Sequence, residues 1–250
     1  VEYYDSQYNI TGSRQINPEL PVFGGFYNGS DAYYIVTGQE NPDESDDVEC
    51  YRITKYDKSW NRIGSVGLDN CNTYVPFDAG SLRMTESDGY LLIRTCHTMY
   101  QSSDGYHHQA NVTIQVDVNK MQITDSFTDI MNVGYGYVSH SFNQFIRTDG
   151  NKIVAVDHGD AYPRSVVLVE YQTDFTTGQF ISNMGWQDHC KATDLLKIAG
   201  GIGNNTTYVN VGGFEVTDSA YIVAATSIDQ ENDGDYYNAC ILGKSKKDGH

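Results

Sequence analysis

No run of 18 apolar residues occurs anywhere in the 250-residue chain, so it holds no apolar helix long enough to cross a bilayer. Positive charge is scarce as well: 16 Lys and Arg stand against 33 Asp and Glu, a net charge of −17. Binding to DNA, RNA or anionic lipid needs clustered Lys and Arg, and this balance argues against all three. Cysteine is sparse and odd in number, at Cys50, Cys71, Cys96, Cys190 and Cys240, with no CxxC pair. That excludes a dense disulfide framework and the usual zinc ribbons, and favours buried reduced thiols. Complete catalytic signatures are missing too: there is no HExxH, no GxSxG and no His-x-His spacing. Proline numbers only 5.

Against these gaps stand 24 Gly and 20 Tyr, a mixture suited to many short strands and turns. Four segments begin with small residues and run through a polar turn into an apolar strand: 23–37, 78–94, 139–155 and 211–224. Their turn centres read NGSDA, TESDG, RTDGN and VTDSA, rich in residues that tolerate positive φ. A polar, often acidic loop and a third strand follow each segment. Fourth strands are expected at 60–66, 121–127 and 175–181, and a helical interruption at 188–199 with Gly200 as its stop. Four antiparallel strands recurring roughly every 60 residues describe propeller blades. The expected fold is therefore all-β, a single β-propeller domain over residues 1–250 with four recognisable blade units. A β-sandwich with accidental similarity is the competing architecture.

The opening residues YDSQYNITGS match YDKSWNRIGS from Tyr56, so the chain starts as a third strand leading into a fourth. This predicts closure of the ring, with residues 4–16 pairing in the same sheet as 236–246. A window on a larger ring stays open as the alternative. The segments resemble secreted bacterial β-propeller repeat proteins, in which turns such as TESDG and RTDGN recur. The resemblance implies the fold and no particular chemistry. The acidic, Tyr-rich, Lys-poor composition points to an extracellular or cell-surface location. The sequons at Asn9, Asn28, Asn111, Asn204 and Asn205 add little in a chain so rich in Asn, Ser and Thr.

In such blades, first-strand entries share a face with the loops between second and third strands. Those loops, expected at 38–50, 96–110, 157–165 and 227–239, form the rim where function should sit. His97, His140, Asn143, Asp157, His158 and Arg164 converge there as the candidate ligand site, with His107, His108 and Asp160 as sequence neighbours. Such a set suits an anionic sugar, a metal or acid–base work. Plain loop histidines with structural hydrogen bonds are the bland reading. Tyr100, Tyr106 and Tyr162 are rim aromatics able to stack on sugars or a protein partner. Asp229, Glu231, Asp233 and Asp235, ahead of or beside Gly234, form the first half of a calcium loop. Millimolar calcium should therefore raise the melting temperature over that in chelator, and identical melting in both would contradict the site.

The leading function is a secreted or surface propeller that binds an extracellular glycan or protein through one loop face. A glycan-active enzyme, hydrolase or lyase, using rim carboxylates and histidines is the alternative. A structural repeat without a ligand is the third.

Overall fold

The computed structural model describes residues 1–78, 81–129, 137–172, 190–228 and 237–247, and every regular element among them is a strand. The hairpin β1 (Glu2–Tyr4) and β2 (Ile10–Ser13) opens the chain. The first meander is β3 (Val22–Asn28), β4 (Tyr33–Gly38), β5 (Tyr51–Tyr56) and β6 (Arg62–Leu68). A short β7 (Thr73–Pro76) leads to the second, β8 (Arg83–Ser87), β9 (Tyr90–Gln101), β10 (His107–Asp117) and β11 (Gln122–Phe127). The third is β12 (Ser139–Asp149), β13 (Lys152–Tyr162), β14 (Ser165–Gln172) and β15 (Cys190–Lys197). The fourth is β16 (Asn210–Val216), β17 (Ala220–Ile228) and β18 (Tyr237–Ser245). All pairings are antiparallel. The tight turns form where the sequence permits positive φ, at Asp88 (50°), Gly89 (82°) and Gly150 (60°).

Period-2 alternation turns each meander into a two-faced layer. In β9, Leu91 and Ile93 pack with Tyr34 and Ile53 of the first meander, while Leu92 faces the third. In β13, Ile153 and Ala155 face the second meander, while Val154 and Val156 pack against Phe214 and Val223 of the fourth. Successive sheets thus stack face to face, and their first strands touch in order: β3 with β8, β8 with β12, β12 with β16. This is a β-propeller of antiparallel blades, three with four described strands and the fourth with three. The axis is crowded, which explains the small residues that open the first strands. A Cβ at Gly24 would lie 2.5 Å from the Phe77 ring, and one at Gly25 would lie 2.8 Å from Leu82.

Several expectations are corrected. Among the described residues no pairing joins 4–16 to the expected partner segment 236–246: β2 pairs with β1, and β18 pairs with β17. The hairpin itself is closed locally. Asp5 accepts from the Gln7 and Asn9 backbone at 2.8 and 2.9 Å and from the Asn9 amide at 3.0 Å, closing a tight hairpin. Asp57 does the same between β5 and β6, with Ser59, Asn61 and the Asn61 amide all at 2.8 Å. Tyr8 and Trp60 take equivalent positive φ, 63° and 65°. The matching sequences therefore make matching third-to-fourth-strand hairpins. Residues 190–197 are strand β15 and not helix, because the edge of β14 offers a ladder from Ser165↔Lys197 to Tyr171↔Cys190. The expected fourth strand at 175–181 lies outside the described residues. The rim loop at 96–110 is mostly strand, its irregular part shrinking to 102–106, and at 157–165 only 163–164 lie outside strands.

Candidate functional site

The start of β12 is irregular. Its register with β13 slips between Ser139 and Ser141 and again between Phe142 and Phe145. His140 and Asn143 adopt φ of 49° and 52°, the left-handed region that bulky residues rarely occupy. Bulges of this kind re-aim side chains. Here they bring Phe142 and Asn143 to one wall of a cleft of about 400 Å³ between the third and fourth meanders. His158 of β13, Asn210 of β16 and Thr226 of β17 line it as well, and Asn205 and Tyr208 reach it from the 198–209 connection. The Asn143 amide donates to the Asn210 side-chain carbonyl. The His158 ring lies 5.6 Å from Phe142, and burial lowers its pKa. The neutral ring can then accept the Asn205 amide, 3.4 Å from Nε2.

The connection itself is braced from below. Gly200 sits at φ 100°, where a Cβ would fall 1.9 Å from the Asn204 carbonyl, so only glycine makes this turn. Arg164 donates to the carbonyls of Asp160, of Ala199 at 2.9 Å and of Asn204 at 3.3 Å. Asn205 then ties Val209 through its amide, at 2.9 Å to the carbonyl and 3.1 Å from the backbone nitrogen.

The structure divides the candidate set read from the sequence. Asn143 and His158 line the cleft, and Arg164 holds the loop that completes it. Asp157 faces the other side of β13, fully buried, where it receives Arg94 Nε at 2.9 Å and Ser141 Oγ at 2.9 Å. His97 is fully buried beneath β7, far from a loop position because β9 continues to Gln101. Neither can touch a rim ligand. Sequence reasoning missed Asn205, Tyr208 and Asn210; the only signal was the Asn-rich run GNNTTYVN ahead of β16.

His140 belongs to a second row along the same rim. Its Nδ1 lies 3.2 Å from Asp160 Oδ1, and its ring lies 6.5 Å from that of His108. His108 meets Asp104 at 2.8 Å, while His107 meets Glu44 at 2.7 Å and stacks on Tyr74 at 4.2 Å. The Ser102 hydroxyl, the Tyr106 backbone and His108 hold Asp104 down to about 2. Among the described residues no three His, Cys, Asp or Glu gather as a metal site. Asp229, Glu231, Asp233 and Asp235, the calcium candidates, lie outside them.

No family model matches the chain, and no curated protein matches it in sequence. Solved structures do resemble it. The GH43 protein BlXynB of Bacillus licheniformis is 13% identical over 88% of this chain and 42% of its own, with a TM-score of 0.42. The GH43_1 enzyme of Xanthomonas citri, solved with xylotriose, is 8% identical over 88% and 73%, with a TM-score of 0.43. The GH43 β-1,3-galactosidase BT3683, solved with galactodeoxynojirimycin, is 7% identical over 100% and 96%, with a TM-score of 0.29. The chain thus spans less than half the length of the Bacillus licheniformis protein.

Proposed function

We propose that this protein is glycan-active, seating a neutral sugar unit in the cleft between the third and fourth meanders. The cleft lining carries the reading. Its polar groups are three amides, a neutral imidazole and two hydroxyls, on Asn143, Asn205, Asn210, His158, Tyr208 and Thr226. Sugar hydroxyls donate and accept at once, and amides match both roles. Phe142 and Tyr208 add flat faces for stacking. The volume falls in the ~300–1,000 Å³ range of small-molecule sites. In a chain of net charge −17, the described lining holds no carboxylate and no cation, which suits an uncharged ligand. An extracellular or cell-surface setting belongs to the same proposal and is supported by composition.

Cleavage of a glycosidic bond by water is the proposed chemistry, with Asp160 and its partner His140 on the same rim as the acid–base pair: one gives a proton to the leaving oxygen and the other takes one from the attacking water. Glycosidases usually use two carboxylates roughly 5–10 Å apart, and in this proposal His140 stands for the second. Binding without cleavage is the second reading, favoured by the carboxylate-free lining. Calorimetric titration with neutral oligosaccharides, xylotriose first, together with an assay for released reducing ends, separates the readings. Asn143→Ala and Asn210→Ala should each weaken binding about tenfold, the size of one lost hydrogen bond of about 1–1.5 kcal/mol. Asp160→Asn should abolish release while leaving binding intact. Binding with no release supports the second reading. Failure of every neutral oligosaccharide to bind rejects both.

A further inference from the structure

We propose that Arg83 and Arg147 form a second, separate site, among the first strands of three successive blades, for a small molecule bearing an oxyanion. A cavity of about 400 Å³ is lined by Phe26 and Tyr27 of β3, Leu82 to Thr85 at the start of β8, and Arg147 of β12. These are the first strands of three successive blades, so the cavity faces the axis. Its two cations come from different blades and converge on one space.

Their hydrogen bonding leaves their donors open. Arg52, Arg62 and Arg94 are paired with carboxylates, Arg14 donates to the Ser59 carbonyl, and Arg164 spreads its donors over three loop carbonyls. Arg83 and Arg147 instead donate to the carbonyls of the residues just before them, Leu82 at 3.2 Å and Ile146 at 3.0 Å. Among the described residues neither has a carboxylate within ion-pair range, although the chain carries 33 Asp and Glu. Glu86, three residues beyond Arg83, is committed to the Ser30 backbone at 2.8 Å. A guanidinium offers five donors in a planar fork, so each arginine keeps most of its capacity for a ligand. The Arg83 guanidinium is held over the Phe145 ring at 5.1 Å, which fixes its plane before any ligand arrives. Phe26, Leu82 and Met84 supply apolar wall for the carbon part of the molecule. A carboxylate on a sugar acid and a phosphate share this chemistry.

The site is distinct from the neutral cleft. Arg147 lies four residues beyond Asn143 along β12, about 13 Å at the usual strand rise. Inorganic phosphate and glucuronate, titrated calorimetrically at low ionic strength, test the proposal. At least one should bind, and Arg83→Gln or Arg147→Gln should each weaken it about tenfold or more. Arg147→Lys should lose most of the affinity while keeping the charge, because the fork is gone. Tighter glucuronate than phosphate identifies an organic acid as the ligand class, and the reverse identifies a phosphoryl group. Neutral-oligosaccharide binding should be unchanged in the Arg83→Gln/Arg147→Gln variant, so failure here is separable from failure of the sugar cleft. Absence of binding by both anions at ~10 mM to the unaltered protein would overturn the site. So would unchanged affinity in the double variant.

Discussion

Replacing Arg94 with methionine should lower unfolding stability by about 3–5 kcal/mol, the cost of leaving one member of a buried ion pair without its partner. Arg94 and Asp157 are 63 residues apart and both fully buried, at the interface of the second and third meanders. Arg94 also donates to Thr113 at 2.9 Å and to the Tyr171 hydroxyl at 3.0 Å. Asp157 in turn receives Ser141, which takes a bond from Gln144 at 2.8 Å, and Gln144 accepts the Ser81 backbone at 3.1 Å. This chain of polar groups fixes how two blades dock. With Arg94 gone, the carboxylate of Asp157 keeps only the Ser141 hydroxyl among its described partners and cannot reach water. The double replacement Arg94→Met/Asp157→Leu should recover most of the loss, since a buried ion pair adds little over a packed apolar pair. Urea midpoints of the three proteins check this. A single-variant loss below about 1 kcal/mol would mean that the pair is solvated, against the burial described.

Acidification should destabilise the protein through His97, and the sign follows from its surroundings. The Thr73 hydroxyl donates to the Cys71 carbonyl at 3.0 Å, so at 2.7 Å it accepts from His97 Nδ1. Nε2 then carries the lone pair and has no hydrogen-bond partner among the described residues. A proton added there is a buried charge with no acceptor, and burial pushes the His97 pKa down to about 3. In the unfolded chain the ring titrates near 6.5. Between those values the unfolded state holds a proton that the folded state lacks. Stability is therefore complete above about pH 6.5 and falls as pH drops toward 3, at a limiting slope of about 1.4 kcal/mol per unit. His158, lowered by burial in the same direction, adds to the effect. Carboxylates such as Asp5, Asp57 and Glu44, lowered by their hydrogen bonds, lose their contribution only below about pH 4.5. Stability measured between pH 5 and 6.5 thus isolates the histidines. His97→Gln should remove nearly one proton from the slope at pH 5 and about half a proton at pH 6.5. An unchanged slope would assign the acid sensitivity elsewhere.

The blade units were legible because their signals are local. TESDG and RTDGN place Asp and Gly where a hairpin needs positive φ, and strands beside them alternate or run fully apolar when both faces are covered. The match between the turns at Asp5 and Asp57 was equally readable, since one side chain closes each turn. What failed were inferences about partners. Whether the free edge of the β1–β2 hairpin also meets the last strand depends on where distant segments sit, and composition does not record that. Residues 190–197 read as helix because two lysines, two leucines and an alanine are good helix formers, yet the open edge of β14 decides their state. His97 and Asp157 carry the residue types of a site, but strand length and face bury them. Asn143 and His158 were found because they flank the same hairpin. Asn205, Tyr208 and Asn210 were not, since a connection folded by Gly200 and Arg164 brings them from another blade.

The most direct measurement is a crystal structure of the protein with the neutral oligosaccharide that it binds most tightly. The expected result is a sugar ring against Phe142 and Tyr208, with hydroxyls on the amides of Asn143 and Asn210. A sugar seated elsewhere on the surface, touching neither the cleft nor the His140–Asp160 pair, with the cleft unfilled at saturation, would contradict the account.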